Sequence, residues 1–386
     1  MISENLMQKR RFCLIGPSFP YRGGISHYNT CLALELAKRH DVRVVNFKRL
    51  YPDFLFPGKT QYDESGSPLR MSSELLIDSV NPLTWIRTGF HVARQRPDVV
   101  LVQWWHPFFA PALFTICSIV KMLRRGSVMF ICHNVVPHET SLVDRVLSRF
   151  AFAAVDMFIV HSGQDRENLL GMRGKATVAV NPLPSFDFFR AGTVARDEAR
   201  RVIGEDGGGL VLFFGYIRPY KGLIHLIEAM SIVRKRYDAR LLVVGEFYED
   251  SGPYRRRVEE LGLSASVRFV DRYVGNEEVG AFFAASDLVV LPYVSATQSA
   301  IAQIALSFDR PVVVTDVGGL PELVSQGKTG FIAPPADPEA LAGTITEFFL
   351  GGWAVRMEPY FAGEKKRFSW SSLVSRIEAL AGLGEE

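Results

Sequence analysis

The stretch 282–335 constrains the fold more than any other part of this 386-residue chain. It holds three short apolar runs, at 288–291, 311–315 and 330–333. Runs of this length without alternation read as strands buried on both faces, which belong to parallel sheets. The polar turn Ser295-Ala296-Thr297-Gln298-Ser299 and a helical segment, 300–308, separate the first two. Gly318-Gly319 separates the second and third, with Leu320-Pro321-Glu322 expected to open another helix. Small residues at strand ends, each leading into a helix N-terminus, make a place where backbone N–H groups can point at an anion.

The same rhythm runs through the chain. A strand at 11–16 is followed by a loop, a helix at 25–40 and a strand at 42–47, the spacing of a parallel βαβ unit. Further strands are expected at 98–103, 128–132, 156–160 and 178–180. Asn181-Pro182-Leu183-Pro184 then breaks the pattern, which sets a domain boundary near residue 182. Strands resume at 210–214, 240–244 and 267–270, with helices at 223–236, 253–261 and 277–285, the last capped from Asn276. Segment 51–81 is polar with Gly and Pro and is expected to be irregular, and segment 185–209 is polar and Gly-rich, with no element assigned to it. The fold class is therefore α/β: two Rossmann-like, doubly wound parallel-sheet domains facing a cleft, 1–181 and 182–366.

An apolar content of 48% supplies a core for each domain. The net charge of +3 hides an asymmetry: residues 1–180 hold 22 Lys+Arg against 14 Asp+Glu, and the remainder 22 against 27. A basic first half is compatible with an acidic partner or an anionic membrane surface. Ordinary surface scatter explains the same numbers equally well. Cys13, Cys31, Cys117 and Cys132 lack C-x-x-C spacing and read as buried free thiols of a reducing compartment. The first eleven residues contain no apolar run, so no signal peptide is expected. Segment 107–123 is the most apolar, but its 17 residues include Lys121 and are short for a membrane span. A buried helix is expected there.

Polar residues at the carboxyl ends of parallel strands are the candidate ligand contacts. In the first half these are His106, His133 and His161, with His138-Glu139 shortly after His133. A lone strand-end histidine is more often structural, and three in succession single out His133 as the functional candidate. Gly23-Gly24 stands just before a helix, where backbone can approach a phosphate or sugar closely. In the second half Arg218 and Lys221 lie in a loop after a strand and before a helix. Facing the Gly318-Gly319 turn, they would neutralise a diphosphate, and Lys221, as a solvent-facing loop lysine, would carry little stability. The chain contains no D-x-D pair that would hold Mg²⁺.

The Gly-Gly after the first strand, the loop G-x-x-x-x-x-K-G at 215–222, and the run LPY…PVVVTDVGGLPELV…GKTGFI together resemble glycosyltransferase family 4, of the GT-B fold. The resemblance covers nearly the whole chain. It includes the tail, where Arg367-Phe368-Ser369-Trp370 and the amphipathic segment to 386 look like the closing helix that returns to the first domain. It implies a hexosyltransferase-like enzyme that transfers a sugar from a nucleotide-sugar donor, with retention at the anomeric carbon and without a metal or other cofactor. Carried over by position, Gly23 and Gly24 lie against the diphosphate and acceptor, and His133 contacts the donor sugar. Lys221 holds the diphosphate, with Arg218 beside it. Gly318, Gly319 and Glu322 form the helix-start region beside the donor.

Two departures stand out. Tyr216 occupies the place after the loop's first glycine where the family usually has arginine. The family's E-x7-E glutamates fall on Ala296 and Ile304, counted back from Pro311, so both carboxylates are missing. Gln303 is one residue off, about 100° around the helix. Thr297, Gln298 and Ser299 are expected to offer neutral hydrogen bonds instead.

The expected function is a divergent, cytoplasmic glycosyltransferase of polysaccharide biosynthesis, acting on a glycan or lipid-linked acceptor. Peripheral contact with the anionic inner membrane face is a further expectation, and nucleic acid is not an expected partner. A non-catalytic nucleotide-sugar or glycan-binding protein on the same scaffold is the alternative, motivated by the missing carboxylates. A nucleotide-sugar epimerase comes third. A nicotinamide dehydrogenase comes last, because no G-x-G-x-x-G follows either opening strand.

Overall fold

A computed structural model describes residues 9–56, 59–66, 69–135, 142–190, 192 and 194–383. His138 and Glu139 lie outside the described residues. The chain forms two compact units. Unit 1 takes Met1–Asp63, Pro68–Asn181 and Trp370–Glu386, and unit 2 takes Glu64–Ser67 and Pro182–Ser369.

Unit 1 begins with β1 (Arg11–Ile15), α1 (Gly24–Ala37), β2 (Asp41–Arg49), β3 (Glu74–Asp78) and α2 (Pro82–Arg94). It continues through β4 (Val99–Trp104), α3 (Ala110–Met122), β5 (Ser127–Cys132), α4 (Leu142–Phe152), β6 (Met157–Val160), α5 (Gly163–Met172) and β7 (Thr177–Val180). All seven strands are parallel, in the order β3-β2-β1-β4-β5-β6-β7. β4 is buried at every position, which is why its sequence VVLVQW shows no alternation. Local signals start the helices. Asn81 Oδ1 accepts the Leu83 N–H at 3.1 Å, with Pro82 at the first helical position. Ser162 Oγ caps α5 by accepting from Asp165 N.

Unit 2 contains α6 (Arg196–Ile203), β8 (Gly209–Phe214), α7 (Leu223–Val233), β9 (Ala239–Val244), α8 (Gly252–Glu260), β10 (Val267–Val270), α9 (Asn276–Ala285) and β11 (Leu288–Leu291). Then come α10 (Ala300–Ser307), β12 (Val312–Thr315), β13 (Gly330–Ala333), α11 (Pro338–Leu350), α12 (Trp353–Met357) and α13 (Phe361–Lys365). Its six parallel strands run β10-β9-β8-β11-β12-β13.

Several expectations need correction. Segment 51–81 is not wholly irregular: β3 adds a seventh strand at the edge of the first sheet, beside β2. Segment 185–209 contains α6, whose Arg196 and Arg200 both pair with Asp287. Asp287 also accepts the Leu210 N–H at 2.7 Å, so this charged helix is fixed to the start of β8. The cap of α9 is Gly275, not Asn276. The Glu278 carboxylate accepts the Gly275 N–H, and the Arg272 guanidinium beside it holds that carboxyl below its usual range. Leu320-Pro321-Glu322 opens no α-helix, only a single 3₁₀ turn, Pro321–Leu323. β13 follows within seven residues, leaving no room for more. Cys31 is half-buried, whereas Cys13, Cys117 and Cys132 are buried free thiols.

The tail closes unit 1. α14 (Trp370–Leu380) packs on α1, with the Trp370 and Tyr28 rings edge to face at 5.0 Å. Glu378, buried on this helix, takes His40 Nε2 at 2.8 Å and Arg39 Nη1 at 3.2 Å. Removing one partner of a buried pair leaves the other uncompensated. Glu378→Ala is expected to destabilise unit 1 by about 3 kcal/mol. Calorimetric unfolding of the full chain measures this, and an unchanged transition would show that α14 docks through its apolar face alone.

Candidate active site

In unit 1 the strand order reverses direction between β1 and β4, so this is a switch point where an open α/β sheet leaves a crevice at its carboxyl edge. Gly23 is the N-cap of α1 with φ +104°, and Gly24 opens the helix. Beyond the adjoining chain, a Cβ at either would meet no atom of a described residue within 4 Å, which leaves space for a ligand there.

His133 directly follows β5 and is buried. Its surroundings fix its tautomer. Asn29 Nδ2 donates to the Pro17 carbonyl at 3.1 Å, so Asn29 Oδ1 is an acceptor and takes Gln103 Nε2 at 3.1 Å. Gln103 Oε1 is then also an acceptor, and His133 Nε2, at 2.8 Å, must be the N–H donor. Burial, with His161 nearby, holds the His133 pKa well below the usual 6.5. The ring is neutral at pH 7 and keeps an acceptor lone pair on Nδ1. Tyr28 packs against it edge to face at 4.6 Å.

The three strand-end histidines do not form one set. His161 lies 5.3 Å from His133, donates through Nδ1 to the Asn181 carbonyl, and is lowered by burial to about 4. His106 is exposed and caps the 3₁₀ turn Pro107–Phe109, its Nδ1 accepting from Phe108 N. Sequence reasoning passed over Asn29, Gln103 and Tyr28. Gln103, the one polar residue in an otherwise apolar strand, was the available signal.

In unit 2 the switch point falls between β8 and β11. The loops after β8, β11 and β12 are tied together there. Val294 N donates to Tyr220 O at 2.8 Å, and Gly319 N donates to Thr297 O at 3.1 Å. The Gly319 N–H therefore holds the 295–299 turn and does not point at an anion, against expectation. Gly318 has φ +53° and a backbone packed against Ala296 O. Glu322 is exposed beyond it, on the 3₁₀ turn.

Lys221 ends the 3₁₀ turn Pro219–Lys221 and is only 8% exposed, so it is not the solvent-facing lysine its loop position suggests. Tyr293, two residues after β11, lies under it, with Nζ 5.5 Å from the ring centre. A Cβ built on Gly215 would sit 3.1 Å from Nζ and 3.4 Å from Ile301 of α10, so the ammonium is walled in by the β8 end and the start of α10. It makes no hydrogen bond or ion pair with any described residue. Burial, and then the Arg218 charge, lower its pKa to about 7.

Arg218 is exposed, 5.1 Å over the Tyr248 ring. Tyr248 and Tyr273 each pack on Tyr216, at 4.5 and 6.3 Å, at the ends of β8, β9 and β10. Ser299 stands at the N-cap position of α10 without a side-chain capping bond and is buried beside the Tyr293 hydroxyl, while Thr297 and Gln298 are half-buried. Gln303, one turn on, is buried with its Oε1 unpartnered among the described residues.

Comparison with known proteins places this geometry. Residues 22–183 match the family described as Glycosyltransferase Family 4, and residues 208–349 match Glycosyl transferases group 1. The chain belongs to glycosyltransferase family 4, group 1. It is 30% identical over 194 residues to the D-inositol 3-phosphate glycosyltransferase of Corynebacterium efficiens, covering 48% of this chain and 46% of that protein. The corresponding protein of Corynebacterium jeikeium is 30% identical over 244 residues, 60% of this chain and 57% of the relative. The chain thus spans about half the length of the curated relatives it matches.

Solved structures match further along the chain. Sucrose-phosphate synthase of Thermosynechococcus elongatus superposes with a TM-score of 0.74 at 19% identity, over 96% of this chain and 98% of that one. HepE of Anabaena, in complex with UDP, also scores 0.74, at 18% identity over 96% and 100%. At these identities the likeness establishes the fold: two Rossmann-like units of the GT-B type.

Proposed function

We propose that this family 4 member moves a sugar from a nucleotide-sugar donor to a glycan or lipid-linked acceptor, with retention at the anomeric carbon and without a metal ion. Lys221 carries the reading. It is a buried ammonium with no carboxylate partner among the described residues, at the switch point of a parallel sheet. A buried charge without a counter-charge is costly, and a diphosphate supplies the missing one. When the bond from the anomeric carbon to the diphosphate oxygen breaks, the leaving diphosphate gains negative charge. Lys221 and Arg218 stabilise that charge as it develops.

Tyr216, Tyr248 and Tyr273 offer aromatic faces for the nucleobase. The UDP and UDP-glucose named with HepE make uridine nucleotides the first donors to try. Thr297, Gln298 and Ser299 supply neutral hydrogen bonds to the donor, and the open Gly23-Gly24 loop receives sugar or phosphate on unit 1. There the neutral His133 Nδ1 accepts from a sugar hydroxyl. With Ala296 and Ile304 in place of the family's glutamates, the chain stands in a divergent branch.

Incubation with a panel of nucleotide sugars, acceptor extract and a chelator tests the proposal. Acceptor-dependent release of free nucleotide is expected, and silence across the common donors overturns it. The buried Ile304 in a glutamate position favours one other reading, donor binding without turnover. Saturable binding by calorimetry with no released nucleotide would establish that reading instead.

A further inference from the structure

α3 lies between α2 and α4 and packs on both. A surface helix ordinarily turns its polar face to water. These two helices turn apolar side chains to water as well. On α4, Leu142, Val146 and Phe150 stand exposed at successive turns, with Val146 66% exposed. Arg145 and Arg149 flank that stripe and are also exposed. On α2, Leu83, Ile86 and Phe90 are exposed, with Arg87 and Arg94 among them. α2 contains no acidic residue, and α4 contains only the half-buried Asp144. A groove of about 520 Å³ runs beside α2, with Lys48, Arg87, His91 and Arg94 on its wall, His91 being paired with Glu74 at 2.7 Å.

We propose that this face of unit 1 rests on the surface of an anionic lipid bilayer, apolar side chains in the interface and arginines on lipid phosphates. Apolar residues interleaved with arginine are the composition of an interfacial helix. A second copy of the chain fits less well, because a two-fold contact sets this face against itself, and arginine would meet arginine. The apolar segment 107–123 contributes little to this face: residues 107–121 are buried or half-buried, and only Met122 and Leu123 at its end are exposed. The inference deepens the lipid-linked acceptor reading by naming the surface that would bring the chain to such an acceptor.

Sedimentation of the full chain with phosphatidylglycerol vesicles, against phosphatidylcholine vesicles, tests it. Binding to the first only is expected, weakened by high salt. Each arginine near an anionic surface is worth roughly fivefold, so the double variant Arg145→Gln/Arg149→Gln is expected to partition about 25-fold more weakly. Val146→Glu is expected to lower binding further, while Val202→Glu, an exposed apolar position on α6, leaves it unchanged. No sedimentation of the wild type at low salt overturns the proposal, as does unaltered binding by the double variant or equal loss in Val202→Glu. A concentration-dependent dimer that Val146→Glu dissociates would assign the face to a second copy. Sedimentation requires no turnover, so a chain that binds vesicles but transfers no sugar removes only the preceding proposal.

Discussion

Lys221→Met is expected to lower sugar transfer by roughly a hundredfold to a thousandfold, the scale of losing one group aimed at developing charge. The folded protein is expected to be at least as stable as the wild type. Methionine keeps the apolar stem in place beside Gly215, Ile301 and Tyr293, where alanine would leave a hole. It also removes an ammonium that no described residue neutralises. Single-turnover rates with a saturating donor measure the first effect and thermal unfolding the second. Wild-type transfer in the variant would place the diphosphate elsewhere, and a variant that unfolds would show that Lys221 stabilises the loop.

The pH dependence follows with a definite sign. The ordinary lysine value of 10.5 applies to the unfolded chain, and the folded value is about 7. Between these the unfolded chain holds a proton that the folded chain lacks, so the Lys221 contribution makes stability rise with pH across that window. Below pH 7 both states are charged and the full cost of burying the ammonium remains. The Lys221→Met gain in stability is therefore expected to be largest at or below pH 7 and to fade above it. Nucleoside diphosphate binding runs the other way, because the ligand selects the protonated lysine. The ratio of wild-type to variant affinity, in which the ligand's own titration cancels, is expected to be constant below pH 7 and to fall above it. Calorimetric titration of UDP at several pH values reads this ratio.

Both parallel sheets were legible because buried strands such as FCLI and LVVL carry unbroken apolar runs, and most strands are followed by helical spacing. β3 was not, because it stands at a sheet edge after a long polar excursion and spans only five residues. α6 was hidden by its five charged residues in eight, which mask the buried Ala199. Its reason to fold is Asp287, 91 residues after Arg196. Leu320-Pro321-Glu322 carries a helix-start signal, but β13 arrives too soon for a helix to form. At the site, loop positions were readable and burial was not. Lys221 reads as a surface lysine because the walls around it come from Tyr293 and Ile301, more than 70 residues away in sequence. The Asn29–Gln103–His133 relay likewise joins three elements, and only Gln103 hints at it.

Gly318→Ala is expected to destabilise unit 2 by roughly 3 kcal/mol and to abolish nucleotide binding. Gly318 has φ +53°, which is strained for any residue with a Cβ. A Cβ there would lie 1.7 Å from the carbonyl oxygen of Ala296 and 3.5 Å from the Cα of Thr297. The obstacle is backbone, so no rotamer change relieves it, and the 295–299 turn must move away. That movement breaks the Gly319 N–H bond to Thr297 O. It also disturbs Val294, whose N–H ties the same segment to Tyr220 in the Lys221 loop. One added methyl group thus reaches Lys221 through two hydrogen bonds and the short segment between them. Gly343→Ala is the control, because Gly343 lies within α11 with open space at its Cβ. There the same change is expected to raise stability by about 0.5–1 kcal/mol. Opposite signs for the two alanines, with UDP binding lost only in Gly318→Ala, would show that the three loops act as one unit. If Gly318→Ala loses stability but still binds UDP with wild-type affinity, the 295–299 turn lies outside the diphosphate site, and Lys221 holds its ligand without it.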